Sequence, residues 1–257
     1  MTAGAMVGVR GNLAALQLTT MSKNLEGELR RAAENHIGYD EFLLSLTDLE
    51  LQVRRENGFR RRLREARFPL LKTLDAFDFS ATSDLNPRVI QELAEGEYLR
   101  QARNIILVGR SGTGKTHLAT ALGIESCREG IRTRFLTVCG LVNELLEARA
   151  EQSLKRALRR YQGYGLLILD ELGYVPLSRD GANLLFQVLA ERHERRSVII
   201  TTNLAFGDWT QVFEDPNLTA ALLDRVTHRA HIIECHWDSY RLKESLRRKG
   251  EKRKVVA

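Results

Sequence analysis

The chain has 257 residues, of which 43% are hydrophobic and only 4 are proline, and its formal net charge is +6. This composition is typical of a folded globular protein and excludes an intrinsically disordered chain. No apolar run reaches the about 18 residues that a membrane-spanning helix needs, and the first twenty residues lack the pattern of a secretory signal. Because its three cysteines have no paired spacing, we expect reduced thiols and a cytoplasmic protein.

The N-terminal part of the chain is predicted to be helical. Two proline-free segments, at residues 22–36 and 39–67, place apolar side chains at helical spacing. Pro69 is expected to end the second helix, since proline cannot continue it, and residues 1–20 are expected to contribute little to the fold. We therefore predict an all-helical N-terminal domain with an arginine-rich linker over residues 1–75, followed by a second domain over residues 76–257.

The chain contains several basic clusters. The segment RRENGFRRRLREAR, at residues 54–67, has seven arginines and two glutamates, a second cluster spans residues 155–160, and RRKGEKRK lies near the end. A single cluster of this kind is often only the solvated face of a helix, but three of one sign favour contacts with nucleic-acid phosphates. The residues predicted to contact DNA are Arg60, Arg61, Arg62, Arg64, Lys155, Arg156, Arg159 and Arg160.

From Asn104 onward, short apolar strands alternate with amphipathic helices. The predicted strands are NIILVG, TRFLTV, GLLILDELG, SVIITTN and HIIEC, and a helix over DSYRLKESLRRK is predicted to follow the last of them. This alternation predicts an α/β fold, in which a five-stranded parallel sheet is flanked by helices.

The segment GRSGTGKT matches the phosphate-binding pattern G-x-x-x-x-G-K-[ST] in full. Glycines let backbone amides approach phosphate oxygens, and the following helix directs its N-terminal dipole toward the negative charge. Lys115 can bridge the β- and γ-phosphates, and the Thr116 hydroxyl can ligate Mg²⁺. Packing on the helix is the simpler explanation for His117, which follows the pattern directly. The predicted nucleotide-binding residues are Gly109, Arg110, Ser111, Gly112, Thr113, Gly114, Lys115, Thr116 and His117.

Polar residues end two further predicted strands. The predicted strand LLILDELG has Asp170 and Glu171 at its carboxyl end. They fit a metal-binding acid followed by a base that orients the attacking water. Acids at a strand end can also serve solubility alone, but their place downstream of the phosphate loop favours catalysis. SVIITTNL ends in Thr201, Thr202 and Asn203, and a polar residue at this strand end can bond the attacking water or the γ-phosphate, with a simple strand cap as the alternative. Asn203 is the residue predicted to take this role.

The order of these motifs, with an ALLDRVTHRA helix after them, resembles AAA+ ATPases. The resemblance implies that Arg225 reaches the nucleotide of a neighbouring subunit and stabilises transition-state charge there. Arg229 competes for this role, and a local salt bridge of Arg225 with Asp224 or Glu214 is the alternative.

Within that superfamily, residues 40–245 resemble the IstB/DnaC branch. The shared motifs are GRSGTGKTHLA, LLILDELGYVPL, TTNL, LLDR and WDSYR. The connecting segment RRLREARFPLLKTLDAFDF resembles the linker of IstB-like transposition helpers. The resemblance implies an ATPase that multimerises on duplex target DNA and stimulates a separate transposase. A loader that brings a helicase to single-stranded DNA is the alternative, whereas the presence of Glu171 argues against a module with little turnover. The resemblance also suggests Arg241 as a second sensing residue, with packing against Trp237 and Tyr240 as the alternative. It places Phe77 and Phe79 where the adenine is often held, although apolar packing of the linker explains them equally well.

Overall fold

The computed structural model describes residues 3–82 and 85–239. Among the helices in those ranges, none has the length and hydrophobicity needed to span a lipid bilayer. The chain divides into two compact units between Arg61 and Arg62. The boundary at residues 75 and 76 stays a prediction.

The first unit is helical, and its helices are α1 (Ala3–Ala15), α2 (Thr19–Glu34) and α3 (Tyr39–Ala66), the last of which runs into the second unit. α3 ends ahead of Pro69 because Arg67 leaves the helical region at φ 55°. A small core joins the three helices through Leu13, Met21, Leu25 and Leu46. The expectation that residues 1–20 contribute little is therefore wrong, because Leu13 on α1 covers the apolar side of α2.

In its described part, the second unit contains five strands, β1 (Ile105–Gly109), β2 (Thr133–Thr137), β3 (Leu166–Leu172), β4 (Ser197–Thr202) and β5 (His231–Cys235). They form one sheet in the order β2-β3-β4-β1-β5, and every neighbouring pair is parallel. The predicted five-stranded parallel sheet is therefore confirmed.

Helices cover both faces of this sheet: α4 (Pro87–Ala94), α5 (Glu97–Arg100), α6 (Lys115–Arg128), α7 (Val138–Ala150), α8 (Leu154–Gln162), α9 (Arg179–Arg192), α10 (Thr210–Phe213) and α11 (Pro216–Thr227). Successive strand residues point to opposite faces. Ile105 and Leu107 pack with Leu118 of α6, whereas Ile106 packs with Leu185 of α9. Apolar layers on both faces explain why the strands read as continuous hydrophobic runs. The helix predicted to follow β5 lies almost wholly outside the described residues.

The buried side chain of Arg192 holds the sheet at its amino-terminal edge. Its Nη1 donates to the carbonyls of Tyr161 and Tyr164 at 2.8 and 2.9 Å. Its Nη2 donates to the carbonyls of Gly165 and Ser197 at 3.3 and 2.8 Å. The planar guanidinium thus fixes the end of α9 to the segments where β3 and β4 begin.

Candidate nucleotide-binding site

The phosphate loop connects β1 to α6. Gly112 and Gly114 have φ of 84° and 94°, which favour glycine because a side chain would be strained there. Gly114 caps α6 without any side-chain hydrogen bond, whereas the Thr137 hydroxyl caps α7 by accepting from the Gly140 amide. The first amides of α6 therefore remain available to an anion.

Lys115 is largely buried, with a relative exposure of 9%, and points into this loop. Its Nζ donates to the carbonyl oxygens of Gly109 and Arg110 at 2.6 and 2.7 Å. The Thr113 hydroxyl donates to the same Arg110 carbonyl at 2.9 Å. The ammonium group is thereby held beside the loop amides, where it can contact phosphate oxygens.

The two predicted metal ligands lie side by side. Thr116 Oγ1 donates to both carboxylate oxygens of Asp170, at 3.0 and 3.1 Å. Asp170 is buried at the end of β3, although β4 separates β3 from β1 in the sheet. A hydroxyl and a carboxylate are hard oxygen donors of the kind that Mg²⁺ takes, so this pair suits a magnesium ion.

Thr201 on β4 links Asp170 to the backbone of Glu171, and the sequence predicted a polar strand end there but not this contact. Its hydroxyl donates to Asp170 Oδ1 at 2.5 Å and accepts from the Glu171 amide at 3.0 Å. The sequence does contain a signal, which is a polar residue at the carboxyl end of an otherwise apolar buried strand. Because β4 lies between β1 and β3, Thr201 reaches the Asp170 carboxylate and the Glu171 amide while Asp170 reaches Thr116.

Glu171 leaves the regular strand pattern directly after Asp170. Its φ is 63°, and the pairing of β3 with β4 shifts register between Leu169 and Leu172. Positive φ is rare for glutamate and often marks a functional position. The shift exposes Glu171 at the edge where Asn203, also exposed, follows β4. The structure therefore gathers Lys115, Asp170, Glu171 and Asn203 at one edge of the sheet, as their positions after parallel strands predict.

An aromatic cluster flanks the other side of the phosphate loop. The Phe77 ring lies beside Gly114, 5.1 Å from the His117 ring and 4.9 Å from the Phe79 ring. His117 Nε2 donates to the Thr73 carbonyl at 2.8 Å, and burial lowers the pKa of this imidazole. His117 thus packs toward the connecting segment, and its contact with nucleotide stays a prediction. The same is true of an adenine contact by either phenylalanine.

The segment after β5 reaches back to the phosphate loop. The Trp237 indole, largely buried, donates from Nε1 to the Thr113 carbonyl at 2.8 Å. Ser239 lies so close to Gly112 that a Cβ at this glycine would meet the serine hydroxyl. Neither contact was predicted, since Trp237 and Thr113 are 124 positions apart. Arg241, the predicted second sensing residue, lies outside the described residues.

Arg225 lies toward the opposite edge of the sheet. The next residue, Val226, accepts from Asn104 Nδ2 at 3.0 Å, and Asn104 immediately precedes β1. The phosphate loop follows the other end of β1, about 16 Å away at about 3.3 Å per residue. An arginine side chain does not cover that distance, so Arg225 cannot contact a phosphate bound by the loop of its own chain.

The Arg225 guanidinium stacks on an aromatic ring, 4.5 Å above the centroid of Phe186. Its Nη1 is buried without a hydrogen-bond partner. The alternative of a salt bridge with Asp224 or Glu214 is not observed among residues 3–82 and 85–239. Arg229, the competing residue, is exposed and follows α11 with φ 55°.

The predicted DNA-contacting residues fall into two groups. Three already serve the chain itself, because Arg60 pairs with Glu56, Arg62 donates to the Cys127 carbonyl at 2.7 Å, and Arg160 pairs with Glu144. The others are exposed and their side chains form no hydrogen bond or ion pair within the described ranges; they are Arg61, Arg64, Lys155, Arg156 and Arg159. The second group is therefore the one free to contact phosphates.

Two solved structures share this architecture over much of the chain. The chain is similar to AMPPCP-bound DnaA from Aquifex aeolicus, with a TM-score of 0.57 and 20% identity over 71% of this chain and 56% of that one. It is also similar to the DnaC helicase loader, with a TM-score of 0.50 and 22% identity over 62% of this chain and 98% of that one. These likenesses show the AAA+ P-loop fold.

Sequence comparison identifies the family. The chain is 38% identical to the insertion sequence IS21 putative ATP-binding protein of Pseudomonas aeruginosa, over 90% of this chain and 88% of that protein. The family model described as IstB-like ATP binding protein matches residues 11–248. This chain therefore belongs to the IstB-like family of insertion-sequence ATP-binding proteins.

Proposed function

We propose that this protein is a Mg²⁺-dependent ATPase that multimerises on duplex DNA and stimulates a transposase by presenting target DNA to it. The observation that carries the ATPase part is the continuous hydrogen-bonded connection of Thr116, Asp170, Thr201 and Glu171. The part concerning a transposase rests on the insertion-sequence family to which the chain belongs.

In the proposed reaction, the phosphate loop and the first turn of α6 hold the ATP phosphates. Lys115 neutralises charge on the β- and γ-phosphates, and Thr116 and Asp170 hold Mg²⁺. Glu171 and Asn203 orient the attacking water at the edge of the sheet. Bound Mg²⁺ supplies further charge stabilisation as the γ-phosphoryl group is transferred.

Multimerisation completes the site, because Arg225 lies too far from the phosphate loop of its own chain. Its stacked guanidinium, with one buried nitrogen lacking a partner, suits an anion supplied by another copy. A cation that approaches the γ-phosphate from a neighbouring subunit makes hydrolysis depend on assembly.

The exposed basic residues provide the proposed DNA contacts. Lys155, Arg156 and Arg159 lie within a single short helix, α8, and Arg61 and Arg64 lie on α3. Their positive charges suit backbone phosphates, which carry no sequence information by themselves. Binding is then expected to be strongly salt-dependent and tolerant of DNA sequence.

Binding to duplex and single-stranded DNA with ATP or ADP tests this function. We expect ATP-dependent duplex binding that tightens with DNA length and is lost in Lys115→Ala. Arg156→Ala with Arg159→Ala should lower the magnitude of the salt slope by about 1 for each lost phosphate contact. Arg195→Ala with Arg196→Ala, which removes the same charge from exposed positions elsewhere, is the control.

The outcome also separates the two candidate functions. A preference for single-stranded DNA would contradict the proposal and favour a helicase loader, to which the fold likeness with the DnaC helicase loader also points. Equal salt slopes for the two double variants would show that α8 does not contact DNA.

A further inference from the structure

We propose that His193, Glu194 and His228 form a binding site for a divalent transition metal, best exemplified by Zn²⁺, away from the nucleotide site. One potential ligand atom from each residue lies within 4.8 Å of the other two. His228 Nδ1 and Glu194 Oε1 are 3.7 Å apart, and the two imidazole centroids are 5.7 Å apart. The nucleotide site uses none of these side chains.

The spacing of the three residues suits tetrahedral coordination. Zn²⁺ bonds of about 2.0–2.2 Å to nitrogen and oxygen place tetrahedral ligand atoms about 3.4 Å apart. The distance between His228 Nδ1 and Glu194 Oε1 is already close to this value. Small rotations of these two side chains would bring their ligand atoms to the same distance from that of His193. Both side chains are about half exposed, 51% and 58%, so these rotations disturb little packing. Two imidazoles and one carboxylate leave the fourth position to water.

The orientation of His193 matches that of a metal ligand. Its Nδ1 lies 3.1 Å from the Arg225 carbonyl oxygen. A carbonyl only accepts, so Nδ1 must donate, and the lone pair of the neutral imidazole is then on Nε2. Metal-binding histidines commonly donate their second ring N–H to a backbone carbonyl, which fixes the tautomer and the ring orientation.

The local backbone also favours a cation. His193 is the C-terminal cap of α9 and His228 is that of α11, so both helices end at the cluster. The carbonyl ends of helices carry partial negative charge, and Glu194 adds a full one. Within the described residues Glu194 forms an ion pair with His228 alone.

The proposed ligands stand on fixed elements. The end of α9 is anchored by Arg192 through four backbone carbonyls, and the end of α11 is anchored by the bond from Asn104 to Val226. A site on anchored backbone keeps its geometry better than one on a free loop. A bound metal would therefore join the last turns of two helices, one of which carries Arg225.

Zn²⁺ binding by the full chain tests the site, with any affinity tag removed and without nucleotide or DNA. Competition against a chromophoric chelator should show one Zn²⁺ per chain. Loss of an outer-sphere partner typically lowers metal affinity by about 10- to 100-fold. His228→Ala and Glu194→Gln each remove a direct ligand, so each should weaken Zn²⁺ binding by at least that factor. His236→Ala is the matched control, since this exposed histidine pairs, within residues 3–82 and 85–239, with one carboxylate alone, that of Glu234. The control should retain wild-type affinity.

Co²⁺ substitution gives a second readout that does not depend on affinity. Wild type should show the intense visible bands of tetrahedral Co²⁺ without a thiolate charge-transfer band, and His228→Ala should lose them. Circular dichroism of the metal-free variants checks that each is folded. Wild-type Zn²⁺ affinity in His228→Ala, or thiolate bands in the Co²⁺ spectrum, would overturn the proposal and leave a simple ion pair. The nucleotide chemistry plays no part in this test.

Discussion

The Thr201 hydroxyl is expected to be the most sensitive single group in the candidate nucleotide site outside the phosphate loop. Thr201→Val keeps the shape of the side chain but removes both hydrogen bonds that the hydroxyl makes. The Asp170 carboxylate loses a donor at 2.5 Å, and the Glu171 amide loses its acceptor. Because Glu171 has φ 63°, the hydrogen bond from its amide to Thr201 helps to hold an unfavourable backbone conformation.

The magnitude follows from these two bonds. A hydrogen bond to a charged group contributes about 1.5–3 kcal/mol, and an unpaired buried donor costs about 1–3 kcal/mol. Water can reach the partly buried Glu171 amide, so we expect the free energy of unfolding to fall by about 2–4 kcal/mol in total. Displacement of the Glu171 carboxylate should also lower kcat about tenfold, which corresponds to about 1.4 kcal/mol.

Urea unfolding without Mg²⁺ or nucleotide measures the first effect, and steady-state ATP hydrolysis measures the second. Thr202→Val is the control because this neighbouring threonine is equally buried and, among the residues that the structure describes, its hydroxyl accepts only from the Leu204 amide, at 3.1 Å. It should cost about 0.5–1.5 kcal/mol and leave kcat unchanged. If the two variants unfold at the same urea concentration and hydrolyse ATP equally fast, Thr201 does not hold the acids in place.

Three further predictions concern the nucleotide. Glu171→Gln should bind ATP normally in equilibrium titration but hydrolyse it at least about 10²-fold more slowly, and a rate near wild type would exclude Glu171 as the base. Arg225→Ala and Lys115→Ala should each be inactive, yet mixed multimers should regain hydrolysis, because the second variant supplies the arginine and the first supplies an intact phosphate loop. Activity no greater than the sum of the separate variants would rule out action between subunits. ATP should change the tryptophan emission of wild type but not that of Trp237→Phe, and ATP binding by this variant is the control. The same emission change in both proteins would show that Trp237 does not respond to nucleotide at the phosphate loop.

Much of the fold and part of the site could be predicted from the sequence because the deciding signals are local. The phosphate loop contains its own glycines, lysine and threonine, and it lies between a strand and a helix that each have clear periodicity. Asp170 follows a run of apolar residues, so its place at the end of a buried strand follows from the pattern alone. Parallel strands then bring these groups to one edge of the sheet.

The features that the sequence did not reveal depend on contacts between distant segments. Thr201 meets the acids only because β4 lies between β1 and β3. Trp237 meets Thr113 only because β5 pairs with β1 and directs the chain back to the loop. Arg62 and Arg160 look the same in sequence as their free neighbours, and only packing shows that Cys127 and Glu144 already engage them.

The four carbonyl bonds of Arg192 have a consequence for the order in which this protein folds and opens. The side chain starts on α9, yet its acceptors lie in the last turn of α8 and where β3 and β4 begin. If α9 detached, four carbonyl acceptors would lose their donor together, so helix and strands should open as one cooperative unit. Hydrogen exchange of α9 amides should accordingly be as slow as that of β3 and β4. A lysine at this position could not replace the guanidinium, since its single ammonium lacks the planar fork that reaches acceptors on both strands.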